Sequence, residues 1–194
     1  MDDSALVERA QSGDTSAYHC LMTLYQDLAF RAAYLITHDA AEAEDAAQEG
    51  FVKAFYALDR FRPGSPFRPW LLRIVTNEAL NRRRAAGRRS GLIERVTRER
   101  LFPRWQPSPE SAIVAEETRS TLLGELRVLS EMDRAVLSYR YLLDMPVDEI
   151  ASILDCPQRT VRSRIARAMK RLEARLSQPD ERAPAPDRSE SSRA

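Results

Sequence analysis

The chain has 194 residues, of which 43% are hydrophobic, and this is enough apolar material for one or two folded domains. Its formal net charge is only +1, so the bulk charge gives no evidence for a polyanionic partner. The sequence shows no signal peptide, no apolar run long enough to span a membrane, and no metal-binding or redox spacing of its two cysteines. We therefore expect a cytoplasmic protein without a metal site or membrane insertion.

The composition predicts an all-α fold. The chain has six glycines, few β-branched runs and long stretches of alanine, leucine, glutamate and arginine, which are strong helix formers. The apolar periodicity predicts two helices over 4–36, separated by a break at Ser12-Gly13-Asp14. A long helix at about 40–58 follows, with Phe55 in its apolar stripe and acidic residues on its other side.

The segment 61–69 is predicted to be a loop, because three prolines and one glycine in nine residues oppose a helix. The next predicted helix runs from Trp70 to about Ala85, with Trp70 in the core. Residues 87–112 are weakly periodic and rich in arginine and proline, which indicates a flexible linker.

A second helical unit follows the linker. It includes a predicted helix over Ala135–Leu143, which Asp133 is expected to cap and in which Tyr139 and Tyr141 are partly buried. The last residues contain no large apolar side chain and are predicted to be disordered. The predicted organisation is two small helical domains at 1–86 and 113–177, a linker at 87–112 and a disordered tail at 178–194.

The pattern after Met145 predicts a helix-turn-helix. Apolar residues at helical spacing mark a first helix that ends near Leu154, Asp155-Cys156-Pro157 interrupts the pattern, and a second amphipathic helix follows. Residues 158–176 carry seven basic residues and one acid. Solvated helices usually mix charges of both signs, so we expect the second helix to lie in the major groove of DNA.

Charge is also segregated in the first half of the chain. Residues 60–104 carry thirteen arginines and three acids, whereas residues 37–49 carry five acids and no lysine or arginine. Separate basic and acidic surfaces indicate two kinds of partner, a polyanion and a basic or polar protein surface.

Three runs of sequence carry a family resemblance. They are Asp45-Ala-Ala-Gln-Glu-Gly-Phe-Val-Lys-Ala-Phe55, then Phe61-Arg62 with Phe67-Arg-Pro-Trp-Leu-Leu-Arg-Ile-Val-Thr-Asn77, then Glu149-Ile-Ala151 with Thr160-Val-Arg-Ser-Arg-Ile-Ala-Arg-Ala168. On these runs, which occur in the family's order and spacing, the chain resembles the extracytoplasmic-function (ECF) group of bacterial RNA polymerase sigma factors.

The resemblance implies a sigma factor that directs promoter-specific transcription initiation and is not an enzyme, with no catalytic residue and no cofactor. The first domain would match region two of the family, which docks on a coiled coil of the largest polymerase subunit and reads the minus-ten promoter element. The second would match region four, which reads the minus-thirty-five element and binds the polymerase flap. An anti-sigma factor is expected as a further partner on the same resemblance.

The resemblance also implies the site residues. Asp45, Gln48 and Glu49 share one helix face and are expected to bind polymerase. Phe61 and Asn77 would hold a base flipped out of the melted strand. The full set expected to contact DNA is Phe61, Arg62, Arg73, Asn77, Asn81, Arg159, Thr160, Arg162, Ser163, Arg164 and Arg167.

The sequence leaves three questions open. It does not decide which arginines read bases and which hold phosphates, or whether Arg164 pairs with an acid of its own domain instead. Gly50 stands inside a helix, where glycine costs roughly 1 kcal/mol, and it either permits close packing or marks an altered polymerase contact. An attraction between the arginine-rich linker and the acids at 110–117 would make the free protein compact.

Two other functions compete with this interpretation. A stand-alone helix-turn-helix regulator would explain residues 145–176 but neither the acidic helix nor the run from Trp70 to Asn77. An enzyme built on the carboxylates of the acidic helix would need Glu-x-x-His pairs for a di-metal site. Neither histidine of the chain has that spacing.

Overall fold

The structure is a computed structural model that describes residues 3–86 and 129–176. Regular structure in these two ranges is helical throughout, which confirms the predicted all-α fold. The predicted linker at 87–112, the start of the second domain and the tail at 178–194 lie outside the described residues. The described helices are α1 (Ser4–Gln11), α2 (Thr15–Thr37), α3 (Ala40–Ala57), α4 (Phe67–Ala86), α5 (Glu131–Leu137), α6 (Val147–Ile153) and α7 (Gln158–Leu176), with a 3-10 turn at Leu58–Arg60 and a π turn at Ser138–Leu142.

Aspartate side chains begin the two long helices α2 and α3. The Asp14 carboxylate accepts hydrogen bonds from the backbone N–H groups of Ser16 (2.9 Å) and Ala17 (3.1 Å), and the Asp39 carboxylate accepts one from Glu42 (2.9 Å). These caps satisfy N–H groups that have no partner within the first helical turn. The predicted break between the first two helices, at 12–14, is confirmed.

The helices α2, α3 and α4 pack against one another, and α1 packs on α2. Gly50 lies where α3 meets α4. A Cβ atom at this position would stand 2.6 Å from Cγ2 of Val75 and 3.2 Å from its Cα. Of the two roles left open for Gly50, the structure supports close packing of the two helices.

The helix α4 begins three residues before the predicted start at Trp70. Pro69 lies in the first turn of α4, where a missing N–H leaves no intrahelical bond unmade, so this proline does not oppose the helix. The loop therefore ends at Pro66. Phe61, Phe67 and Trp70 form an aromatic cluster with ring centroids 4.9–5.8 Å apart, which holds the loop against α4.

The helix predicted at Ala135–Leu143 has different bounds and a different cap. It begins at Glu131, and the Ser130 hydroxyl accepts a hydrogen bond from the backbone N–H of Asp133 at 3.2 Å. The prediction that Asp133 caps this helix is wrong, and Asp133 is buried instead. The π turn that follows α5 places Tyr139 in the core and leaves Tyr141 59% exposed, whereas both were predicted to be partly buried.

The helices α6 and α7 form the predicted helix-turn-helix. Ile150, Ile153 and Val161 are buried in the core on which both helices pack. Asp155 makes the turn in the left-handed backbone region, with φ of 50°. The Pro157 carbonyl accepts the first helical hydrogen bond, from the N–H of Thr160 at 2.8 Å, so Pro157 stands just before α7.

The helices on either side of residues 87–128 share one core. The helix α4 packs on α6, and α2 packs on α5. The hydroxyl groups of Thr76 and Tyr139 form a buried hydrogen bond of 2.7 Å across this contact. Burial raises the pKa of the Tyr139 phenol, which therefore keeps its proton. The two helical groups, residues 3–86 and residues 129–176, are thus in contact. The sequence predicted a compact protein from an attraction between the linker and residues 110–117, and both of these segments lie outside the described ranges.

Candidate nucleic-acid interface

The helix α7 has one buried side and one exposed basic side. Val161, Ala168 and Leu172 are buried. On the exposed side, the Arg162 guanidinium donates to the Gln158 side chain at 3.2 Å, and Arg167 donates to the Ser163 carbonyl at 3.3 Å. Both contacts lie within the helix, so an external phosphate or base can replace them without disturbing the fold. The candidate DNA contacts that lie exposed on α7 are Arg159, Arg162, Ser163 and Arg167, while Thr160 is partly buried.

Arg164 points to the inner side of α7. Its Nη1 lies 3.1 Å from Oδ1 of Asp133, a carboxylate of α5. Of the two roles that the sequence left open for Arg164, the structure supports the pair with an acid of its own domain. Arg171, two helical turns further on, binds the other oxygen of Asp133 at 3.2 Å.

The helix α4 presents three predicted DNA contacts at intervals of four residues. Arg73, Asn77 and Asn81 are all exposed, and Arg62 is exposed on the preceding loop. Residues four apart lie on the same face of a helix. The Arg73 guanidinium, however, is paired with Asp155 of the helix-turn-helix at 2.6 Å.

Phe61 lies beneath the loop. Its side chain is 4% exposed and packs edge-to-face on Trp70, with a centroid distance of 4.9 Å. In this arrangement the ring shapes the loop from below and offers no open face for a flipped base. The role of Phe61 in holding a base stays a prediction, and Asn77 is the exposed member of the pair.

A cleft of about 820 Å³ separates the loop and the start of α4 from the helix-turn-helix. Arg68 crosses one side of it, with Nε 2.9 Å from Oε1 of Glu149. Burial raises the pKa of Glu149, and the negative charge of Asp148 adds to the rise, while Arg68 opposes it. The residues that line the cleft are Pro66, Arg68, Pro69, Pro146, Asp148, Glu149, Ala151, Ser152, Asp155, Cys156, Pro157 and Gln158.

The acidic face of α3 lies on the surface. Asp45 and Gln48 are exposed, and Glu49 is partly exposed. The Arg82 guanidinium of α4 bridges Asp45 (2.9 Å) and Glu42 (3.1 Å), so α3 and α4 are joined by exposed ion pairs along this face.

An apolar patch that was not predicted from the sequence extends the same surface of α3. Val52, Phe55 and Tyr56 are 49%, 43% and 79% exposed. Phe55 was predicted in the buried stripe of α3, and the structure leaves its ring half in solvent. Each of the three residues stands seven positions after Asp45, Gln48 or Glu49, which is two helical turns. That spacing was the available signal that an apolar patch extends the acidic face.

Comparisons with known proteins bear on both halves of the chain. The family model for Sigma-70 region 2 matches residues 21–89, and the model for Sigma-70, region 4 matches residues 120–172. The RNA polymerase sigma-H factor of Pseudomonas aeruginosa is 37% identical over 180 residues, covering 90% of this chain and 93% of that protein. The ECF RNA polymerase sigma-E factor of Escherichia coli K12 is 35% identical over 184 residues, covering 91% and 95%. This chain belongs to the ECF sigma factors.

As a member of this family, the sigma factor directs transcription initiation. Its fold is also that of two solved structures. CnrH, solved in complex with the cytosolic domain of CnrY, superposes with a TM-score of 0.66 at 26% identity, over 90% of the sigma factor and 96% of the CnrH chain. The sigma factor RpoE of Bartonella quintana, solved with the anti-sigma factor NepR, superposes with a TM-score of 0.62 at 24% identity, over 82% and 96%.

The match to region 2 excludes the simpler alternative for the sigma factor. A stand-alone helix-turn-helix regulator would leave residues 21–89 unexplained, whereas those residues match a sigma model of their own. Within the described ranges, none of its helices is both long and apolar enough to cross a membrane.

Proposed function

We propose that this sigma factor docks on core RNA polymerase through α3 and reads promoter DNA through α4 and α7. In this proposal residues 1–86 form the region-two domain, 113–177 form the region-four domain, and 87–112 link them. The observation that carries the proposal is that one chain exposes an acidic face on α3 and a basic face on α7 at the same time. These two faces suit partners of opposite charge.

The polymerase contact combines charge with apolar area. Asp45, Gln48 and Glu49 supply carboxylates and an amide for basic side chains of the coiled coil on the largest polymerase subunit. The adjoining patch of Val52, Phe55 and Tyr56 supplies exposed apolar and aromatic surface. Aromatic residues are enriched in the energetically important centres of interfaces. We therefore include these three residues in the proposed docking surface.

The minus-ten element is assigned to α4 and its loop. Arg73, Asn77 and Asn81 lie along one exposed face and would follow the backbone and base edges of the melted strand. Arg62 adds a positive charge from the loop. Asn77 is the exposed side chain that would hydrogen-bond a flipped base, and Phe61 would shape the pocket from beneath.

The minus-thirty-five element is assigned to α7. Arg162, Ser163 and Arg167 lie on the exposed side of the second helix of a helix-turn-helix, which is the side that enters the major groove. Arginine can pair bidentately with guanine there, for about 1–3 kcal/mol of discrimination. Arg159 and Thr160, near the start of α7, lie where phosphate contacts are common. The second domain would also bind the polymerase flap.

The promoter-bound form requires that the two helical groups separate. Positions minus ten and minus thirty-five differ by about 25 base pairs, or about 85 Å of duplex at about 3.4 Å per base pair. A compact chain of this length has a radius of gyration of only about 16 Å. The contact between Thr76 and Tyr139 therefore belongs to the protein before it engages a promoter.

The remaining assignments follow from family likeness. The sigma factor acts in the cytoplasm, carries out no reaction of its own and needs no cofactor, because core polymerase supplies the chemistry. An anti-sigma factor is a further proposed partner, since the similar proteins CnrH and RpoE were solved with CnrY and NepR.

The test of the docking surface is the affinity for purified bacterial core polymerase in the absence of DNA. We expect Asp45→Ala with Glu49→Ala, and separately Tyr56→Ala, to weaken core binding at least tenfold, with run-off transcription falling in parallel. Glu8→Ala removes an exposed acid of α1 and is the matched control, which should bind core like the wild type. Wild-type core affinity in both α3 variants would overturn the proposed docking surface.

A further inference from the structure

A buried carboxylate lies under the proposed promoter-reading helix. Asp133 is the third residue of α5 and is only 6% exposed. Each of its two oxygens binds an arginine of α7: Oδ1 lies 3.1 Å from Arg164, and Oδ2 lies 3.2 Å from Arg171. A buried charge is costly unless it is paired, so the two arginines satisfy a group that could not otherwise be buried.

Asp133 holds α7 at two separate points through these two arginines. Arg164 and Arg171 are seven residues apart, which is two helical turns and about 10 Å along the axis. A helix that is held at two points on one side resists both rotation about its axis and tilting. The position of Asp133 is itself fixed, because its backbone N–H donates to the Ser130 hydroxyl at the start of α5.

The apolar contacts beneath α7 do not supply this precision. Its inner side packs on the main core through Val161, and on a smaller cluster that contains Leu129, Leu137, Ala168 and Leu172. Apolar burial is non-directional, and the methyl side chain of Ala168 contributes little surface. A reading site must be held to about 0.5 Å and 10–20° to work. The directional contacts from Asp133 can hold α7 to that tolerance.

We propose that Asp133 is a positioning residue for promoter recognition, which sets the rotation of α7 through Arg164 and Arg171. This inference rests on the proposed role of α7 in reading the minus-thirty-five element. It removes Arg164 from the set of DNA contacts, because its guanidinium is committed to Asp133. Arg162 and Arg167 face outward from the same helix and depend on the rotation that Asp133 sets.

The salt dependence of DNA binding distinguishes positioning from contact. Each phosphate that a protein neutralises adds about 0.9 to the slope of log affinity against log salt. The measurement is the affinity of the full chain, bound to core polymerase, for two duplexes. The first is a promoter duplex that this holoenzyme selects from genomic fragments, and the second is the same duplex with its upstream element scrambled. The ratio of the two affinities gives the sequence discrimination, and a salt titration of the first gives the slope of log affinity against log salt.

We expect Asp133→Asn to lower discrimination at least tenfold while the salt slope stays at the wild-type value, because all DNA-facing charges remain. Arg171→Ala, at a side chain that is 60% exposed, removes one of the two contacts without endangering the fold. This variant should lower the discrimination between the two duplexes several-fold, and it should leave the salt slope unchanged. Arg167→Ala is the matched arginine control, and it should lower the affinity or the slope directly.

Two results would overturn the proposal in different ways. If Arg164→Ala lowers the salt slope by about 0.9, Arg164 holds a phosphate and does not position the helix. If Asp133→Asn and Arg171→Ala keep full discrimination while Arg162→Ala and Arg167→Ala lose it, α7 reads DNA without help from Asp133. If none of these variants changes binding, the proposed role of α7 is wrong and the positioning role is wrong with it.

Discussion

The two helices proposed to read the promoter, α4 and α7, stand in different environments. The helix α7 packs on one side only, and its outward side chains Arg162 and Arg167 hydrogen-bond to residues of their own helix. The helix α4 is packed by α2, α3 and α6, and its Arg73 is paired with Asp155 of the other helical group. In the compact form the exposed face of α7 is therefore open to DNA, while the corresponding face of α4 is partly covered by the helix-turn-helix.

This difference suggests an order of events. A duplex can approach α7 without any rearrangement, but a melted strand can bind the Arg73 guanidinium only in place of Asp155, which moves away with the helix-turn-helix. That movement breaks the apolar core that the two groups share, together with polar contacts that include Arg31 with the Leu142 carbonyl, Thr76 with Tyr139, Arg68 with Glu149, and Arg73 with Asp155. Binding to core polymerase can supply the free energy through its preference for the open form.

The largest contrast is expected between Arg167→Ala and Arg73→Ala in the sigma factor without polymerase. Loss of Arg167 should weaken duplex binding about 5- to 150-fold, which corresponds to about 1–3 kcal/mol for a good arginine contact. Loss of Arg73 should change duplex binding less than twofold, because its guanidinium is paired with Asp155. Fluorescence anisotropy with a labelled promoter duplex measures both. Equal losses would remove the distinction between the two helices.

The buried hydrogen bond between the helical groups should have the next largest effect. Tyr139→Phe leaves the Thr76 hydroxyl buried without its partner and should lower the free energy of unfolding by about 1–2 kcal/mol. Thr76→Val should do the same, and the double variant should lose less than the sum of the two. Urea unfolding of the four proteins measures the coupling. Strict additivity would show that the two hydroxyls do not interact in solution.

The pair between Arg73 and Asp155 is exposed, so its effect should be smaller. Asp155→Asn keeps the left-handed backbone, which asparagine tolerates, and it releases Arg73. A single-stranded minus-ten oligonucleotide should bind a few-fold more tightly, consistent with at most about 1 kcal/mol for such a pair. The gain should vanish in high salt. Asp148→Asn, an exposed acid of the same cleft, is the control that should show no gain.

The smallest expected effect concerns pH. The pKa of Glu149 is raised by burial in the compact form. Because Glu149 binds its proton more tightly there, the change from the open form to the compact form takes up protons. The compact form should therefore gain stability as the pH falls through that raised pKa and lose the gain as the pH rises through it. The distance between the two helical groups can be followed by energy transfer between a dye on Cys20 and a dye on the cysteine of Glu173→Cys. The substitution Cys156→Ser removes the other cysteine. A pH response that persists in Glu149→Gln would exclude Glu149 as its source.

Local signals explain which parts of the fold could be predicted from the sequence. The starts of α2 and α3 were predictable because Asp14 and Asp39 cap them through their own neighbours. The helix-turn-helix was predictable because its apolar stripes and its break lie within thirty residues. The start of α4 was missed because proline opposes helix interiors but is tolerated in a first turn.

The missed features depend on contacts between distant residues. Asp133 meets Arg164 and Arg171 at separations of 31 and 38 residues, and Arg73 meets Asp155 at a separation of 82. No periodicity encodes such pairs, so Asp133 was taken for a cap. The exposure of Phe55 was missed because its spacing with the core residues of α3 was given more weight than its position two helical turns after Gln48 on the acidic face.

The most direct test of the central claim is run-off transcription by purified bacterial core polymerase on a library of genomic promoter fragments, with and without this protein. We expect transcripts that require both the protein and core polymerase, that share an upstream element, and that disappear with Arg162→Ala or with Asp45→Ala combined with Glu49→Ala. Specific duplex binding by the protein alone, with no core-dependent transcript from any fragment, would contradict that claim.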